Sequence, residues 1–120
     1  MDIYDEEIAY TDKSIGELID AVDALELKDN TVIIITSDHG EEFLDRTRFG
    51  HGNNTYQELI HVPLIIYSPL EEKLKGRRVR HSVETRDIPK TVLEISGIED
   101  SHFGGNNLLN VAEQSDDPNG

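Results

Sequence analysis

The chain has 120 residues, 25 Asp and Glu against 11 Lys and Arg, and a formal net charge of −14. This length predicts one domain, and the acid excess argues against duplex nucleic acid or an anionic membrane as partner, because binding phosphate needs a basic face. The excess suits cations, either one bound metal or a high-salt milieu, and the lack of cysteine excludes disulfides, a thiolate metal site and a cysteine nucleophile within these residues.

The opening segment MDIYDEEIAY is acidic and lacks the apolar core of a signal peptide. No run approaches the ~20 apolar residues that span a bilayer, and the compartment stays open. Residues 4–27 predict a helix, since Ile8, Ile15, Leu18, Ile19, Val22 and Leu25 recur at helical spacing. Asp5, Glu6 and Glu7 lie in its first turn, where the helix dipole favours anions, and Lys28-Asp29-Asn30 supplies the stop. Thr31 to Thr36 is a continuous, largely β-branched run, which predicts a strand buried on both faces, as in a parallel sheet. Residues 37–55 are polar, contain three glycines and predict a long functional loop. A helical turn is expected near Tyr56–Ile60, then a second buried strand from Val62 to Tyr67, with Pro63 tolerated near its start. Residues 70–78 read as a charged loop and Val79–Val83 as a short strand. Asp87 is placed to cap a helix running to about Ser96, with Pro89 in its first turn and Gly97 as its stop.

This order is α/β, with two parallel, adjacent strands flanked by helices. Val32–Ile35 and Leu64–Ile66 are expected to be buried, with Ile8, Leu18, Val22 and Leu93 packed against them. Two strands do not make a covered sheet, so residues 1–112 predict part of a larger domain and residues 113–120 a flexible tail. An open sheet edge further predicts instability as a monomer or self-association.

Ser37-Asp38-His39-Gly40-Glu41-Glu42 follows the first strand directly, and in open α/β sheets ligands bind beyond the carboxyl ends of strands. A carboxylate beside an imidazole is a partial ligand set for a divalent cation; the alternative is a turn in which Asp38 caps backbone N–H groups. His51, between Gly50 and Gly52, has the backbone room to enter a cleft, bind an oxyanion or donate a proton; the alternative is an exposed loop histidine. His61 reads as a hydrogen-bonded structural residue, His81 and His102 have no constellation around them, and the basic run from Lys73 to Arg80 reads as a solvated loop. Glu41, Glu42 and Asp45 are expected to lend the site a diffuse attraction for cations.

Together these pieces resemble the C-terminal portion of the catalytic domain of the sulfatase family, within the alkaline-phosphatase-like superfamily. The resemblance rests on Tyr4–Asp12 with Ile15-Gly16, Thr31–Glu41, Gly50-His51-Gly52 through Tyr56 with His61–Ile65, and Asp87–Leu93 with Gly97-Ile98 and Gly105–Leu109, in family order. It implies a partial alkaline-phosphatase-like α/β sandwich. It also implies that Asp38 and His39 match the second pair of metal ligands, for calcium, manganese or zinc. His51, twelve positions after His39, matches the catalytic, substrate-binding Lys or His that contacts the sulfate or phosphate group. The implied substrate is an anionic ester, and the implied reaction is sulfuric ester hydrolysis, with phosphodiester or phosphonate hydrolysis and phosphoglycerol transfer as alternatives. A non-catalytic metal- or anion-binding domain is the competing reading. The family's first metal carboxylates and its Cys/Ser-x-Pro-x-Arg nucleophile motif have no counterpart among these residues, so the chain alone is expected to be inactive.

Overall fold

The structure, a computed structural model, describes residues 2–44, 46–52, 54–99 and 102–115. The elements in order are α1 (Asp2–Ala24), β1 (Ile33–Thr36), β2 (Glu42–Phe43), β3 (Phe49–Gly50), α2 (Gln57–Ile60), β4 (Leu64–Tyr67), α3 (Asp87–Ile95) and α4 (Leu108–Gln114). The chain divides into two compact units, Met1–Pro69 and Leu70–Gly120. No described helix is long and apolar enough to cross a membrane.

In the first unit, α1 ends three residues before the predicted stop. Glu26 adopts φ +57°, the Leu27 N–H reaches back to the Val22 carbonyl at 3.0 Å, and the Glu26 N–H reaches Asp23 O at 2.9 Å. These are the two bonds of a Schellman closure, here built on a glutamate in the left-handed position usually held by glycine. Lys28–Asn30 follows as a single 3-10 turn.

The structure corrects the sheet. β1 and β4 pair antiparallel, with Ile33 opposite Tyr67 and Thr36 opposite Leu64. Continuous apolarity reports on burial and carries no information about strand direction, which is why the expected parallel pairing fails. Burial is also lower than expected. Ile33, Ile34 and Ile35 are only half-buried, Ile65 is 58% exposed, and on α1 both Ile8 and Leu18 are exposed while Val22 is half-buried. A pair of strands cannot enclose the apolar faces that β1, β4 and α1 present. Among the described residues of this unit, the buried apolar one is Leu59 on α2, at 5% exposure.

The long loop after β1 is more ordered than predicted. It contains the antiparallel pair β2–β3, in which Glu42 faces Gly50 and Phe43 faces Phe49. Phe43 meets Phe49 edge-on at 5.7 Å and Tyr4 of α1 at 4.6 Å, which ties the hairpin to the helix. The hairpin turn closes through Leu44 N–H to Arg48 O at 2.8 Å and Thr47 N–H to Leu44 O at 3.1 Å.

The second unit is built around a buried polar clamp. Asp87 is the first residue of α3 and does not act as its N-cap, which is Arg86. Its carboxylate instead accepts the Glu84 N–H and the Asn106 N–H, each at 2.8 Å, while its own N–H donates to Glu84 O. Thr91, fully buried, donates to Asp87 O and accepts from the Leu108 N–H at 2.9 Å, so one hydroxyl joins α3 to the start of α4. Asn107 caps α4 through the Leu109 N–H, and Leu108 and Leu109 are buried. Leu93 is half-buried. The predicted stop of α3 holds: Gly97 (φ +70°) donates to Glu94 O and Ile98 to Leu93 O, again a Schellman pattern. The expected strand at Val79–Val83 does not form; the segment is irregular. Glu113 and Gln114, expected in the tail, are helical, and the tail beyond Ser115 lies outside the described residues.

Candidate functional site

The site lies where β1 runs out. Thr36 is its last residue, and Ser37 to Gly40 carries the chain towards α2. Gly40 allows this approach. Its N–H donates to Leu59 O at 2.9 Å, and a Cβ built on it would sit 1.9 Å from the carbonyl oxygen of Glu58. Only a residue with no side chain can pass so close to another backbone. The Asp38-His39-Gly40 segment is thereby pinned beside Leu59, the buried apolar anchor of this unit.

Asp38 is largely exposed, and its Oδ1 accepts the His39 backbone N–H at 3.0 Å, so the turn-capping role read as an alternative is present. The same oxygen stands 3.8 Å from His39 Nε2. His39 Nδ1 lies 2.9 Å from the carbonyl oxygen of Gly40. A carbonyl can only accept, so Nδ1 carries the proton, and in the neutral ring Nε2 then holds the free lone pair. This is the form in which an imidazole ligates a metal, with its other nitrogen bound to a carbonyl or carboxylate.

His51 meets this segment from the far side of the β2–β3 hairpin. Its ring stacks on that of His39, centroids 4.1 Å apart and planes 29° from parallel. Its Nδ1 lies 3.0 Å from Oε2 of Glu41. Both rings stay about half exposed, within reach of a ligand. The structure thus brings Asp38, His39 and His51 together. Among the described residues, no group of three or more His, Cys, Asp or Glu side chains is arranged to hold a metal ion. Asp38 and His39 fit a divalent cation in donor type and tautomer, as two of the four or more donors that such an ion takes.

Two of the three acidic neighbours, Glu41 and Glu42, make specific contacts. Glu41 is paired to His51. Glu42 is 3% exposed and accepts from Asn54 Nδ2 at 2.9 Å, while Asn54 Oδ1 accepts the Tyr56 N–H at 3.0 Å. Asp45 lies outside the described residues. In the hairpin turn, Arg46 lies over the Tyr56 ring at 4.1 Å and forms an ion pair with Glu58. Its guanidinium, through the hydrogen bond to that carboxyl, holds Glu58 below the usual carboxylate range. These contacts brace the loop that carries His51 against the start of α2. Sequence reasoning missed the bracing roles of Glu41, Glu42, Arg46 and Asn54. No local signal marked them, because a polar or charged side chain in a polar loop looks the same paired or solvated.

His61 closes α2 through its N–H to Gln57 O at 2.9 Å and is otherwise exposed. It takes no part in the cluster. The basic run belongs to the second unit, where Arg77 donates to Ser115 O at 2.8 Å.

Comparison with known proteins places the sequence in a family. A sequence model of the sulfatase family matches residues 1–98. The chain is 37% identical over 90 residues to an ulvan-active sulfatase of Formosa agariphila, covering 74% of the chain and 18% of that protein. It is 33% identical over 108 residues to human arylsulfatase K, covering 89% of the chain and 20% of that protein. It is 34% identical over 105 residues to the uncharacterized sulfatase YidJ of Escherichia coli, covering 87% and 20%. The chain therefore spans about a fifth of the length of these relatives, and no solved structure matches it significantly. With the family match running from the first helix through the Asp38-His39 turn and the His51 loop to the end of α3, the chain belongs to the sulfatase family.

Proposed function

We propose that this chain is the part of a sulfuric ester hydrolase that supplies two ligands of a divalent cation, Asp38 and His39, and one contact to the substrate anion, His51. The observation that carries this reading is the stacked pair. A ring already in metal-ligating form, beside a carboxylate, lies against a second, half-exposed ring. The cation, when bound, would neutralise charge on the ester and activate a nucleophile. Asp38 contributes an anionic oxygen and His39 its Nε2. His51, when its ring carries both protons, donates from Nε2 to an oxygen of the transferring group and steadies the charge that develops there. The nucleophile and the remaining ligands come from residues outside this sequence, so the isolated chain is expected to be inactive. Calcium, manganese and zinc are the candidate ions, and an aryl or sugar sulfate is the candidate ester.

The test is sulfate release from an aryl sulfate by a protein of family length carrying this segment, with and without a chelator. Asp38→Ala is expected to abolish turnover, and His51→Ala to lower it by about 10²–10³-fold. Activity that survives both chelation and Asp38→Ala removes the metal assignment. A preference for an aryl phosphodiester over the aryl sulfate moves the chemistry to phosphate transfer.

A further inference from the structure

The Gly40-Glu41 dipeptide serves both rings of the stacked pair. The Gly40 carbonyl accepts from Nδ1 of His39, and Oε2 of the next residue, Glu41, lies 3.0 Å from Nδ1 of His51. A carboxylate, like a carbonyl, accepts, so each ring carries its proton on Nδ1. We propose that Glu41 is a positioning residue for His51, holding a proton on Nδ1 and the ring on its stack with His39, so that Nε2 is the nitrogen turned to a ligand: an acceptor in the neutral ring, and a donor to an anion oxygen when the ring carries both protons.

Three observations support this. The Glu41 side chain is mostly covered, and its other oxygen, Oε1, is buried with no hydrogen-bond partner among the described residues. Covering a carboxylate costs free energy unless a specific contact offsets the loss of water, and the contact found is the one to His51. Second, Gly50 passes over this carboxylate with φ +105°; a Cβ there would lie 3.9 Å from Glu41 Oε1, in ordinary contact. The backbone conformation that directs the next residue, His51, towards Glu41 is one that glycine adopts without strain. Third, the two rings stack at 4.1 Å, so turning one displaces the other. Glu41 thus acts through His51 on the same pair of rings that the Gly40 carbonyl holds through His39.

The assignment rests on the proposed role of His51, and the two are tested by separate readouts. The first needs neither metal nor substrate. Two-bond ¹H–¹⁵N correlation of the imidazoles in the 120-residue chain, at a pH where the rings are neutral, reports each tautomer. The Nδ1–H form is expected for both His39 and His51. Glu41→Ala should shift the His51 tautomer ratio by about tenfold towards Nε2–H and leave His39 on its Gly40 carbonyl. Glu41→Gln, whose amide oxygen still accepts, should retain most of the wild-type ratio. Backbone amide spectra show that each variant is folded. A His51 ring in the Nε2–H form in the wild type, or one unmoved by Glu41→Ala, overturns the assignment. The second readout is titration with inorganic sulfate at a pH where the rings carry both protons, since only then does Nε2 have a proton to donate to a sulfate oxygen. It is expected to move the His51 Nε2 resonance, with apparent affinity reduced several-fold in Glu41→Ala. If sulfate moves nothing in the wild type while the tautomers behave as expected, Glu41 stands as the positioning residue and the anion-binding role of His51 falls.

Discussion

Replacing Gly40 by alanine tests how the candidate site is attached to its scaffold. The new methyl would lie 1.9 Å from Glu58 O, 3.0 Å from Glu58 C and 3.2 Å from Leu59 Cα, all of them backbone atoms that have no rotamer to escape through. Restoring ordinary contact requires a backbone shift of about 1.5 Å. That shift breaks the 2.9 Å bond from Gly40 N–H to Leu59 O, about 1 kcal/mol. It also draws Leu59 from its 5% exposed seat, forfeiting part of the about 1.5–3 kcal/mol of its burial. The expected loss is about 2–4 kcal/mol. Urea unfolding followed by far-ultraviolet circular dichroism measures it. Gly16→Ala is the control, because a Cβ on this α1 glycine meets nothing within 4 Å and removing glycine from a helix interior should stabilise by about 0.5–1 kcal/mol. If Gly40→Ala unfolds within about 0.5 kcal/mol of wild type, the close approach does not anchor the site and the reasoning fails.

Two further predictions concern stability. Asp87→Ala strands two backbone N–H groups, those of Glu84 and Asn106, around a residue only 2% exposed; the expected cost is about 2–5 kcal/mol in denaturant unfolding, and Asp87→Asn, which keeps one acceptor, should recover about half of it. The carboxyls of Glu58 and Glu94 are held below their ordinary value of 4.5, the first by Arg46, the second by Lys90 and then Asn107. A depressed folded-state value means that their contribution is fully present above the unfolded value and is lost as pH falls through the folded ones. The unfolding midpoint should therefore drop below about pH 4.5, and Glu58→Gln and Glu94→Gln should each flatten that drop; a slope unchanged in both variants refutes the linkage.

The sequence was most legible where one residue type answers one local demand. Gly97 ends α3 as predicted, because a Schellman closure needs a left-handed residue there. The turn after β1 could be placed because a polar, glycine-bearing segment after a continuous apolar run has few other readings. Asp38, His39 and His51 were singled out from types and order, and the structure brings them together. Strand direction was not legible: Ile33–Thr36 and Leu64–Tyr67 have the same apolar character whether they run parallel or antiparallel. Burial was overestimated for a related reason. The pattern on Ile8, Leu18 and Ile65 says which face prefers to be covered, and exposure depends on whether another layer is there to cover it. Glu41, Glu42 and Arg46 were illegible as bracing residues because a charged side chain in a polar loop looks the same paired or solvated. The reciprocal pairing of Asp87 with Glu84, and its reach to Asn106, depends on a return of the chain that no local pattern encodes.

The central claim is that Asp38 and His39 are cation ligands and that His51 stands beside them. Titrating the chain with Mn²⁺ and following paramagnetic broadening of its histidine and backbone resonances tests this most directly. Two protein ligands predict weak binding, but at one place. Signals of residues 38–40 and the His51 ring should broaden first, at the lowest Mn²⁺ concentrations, and Asp38→Ala should abolish the selectivity. Broadening spread along the acidic surface of α1, indifferent to Asp38→Ala, would contradict the account.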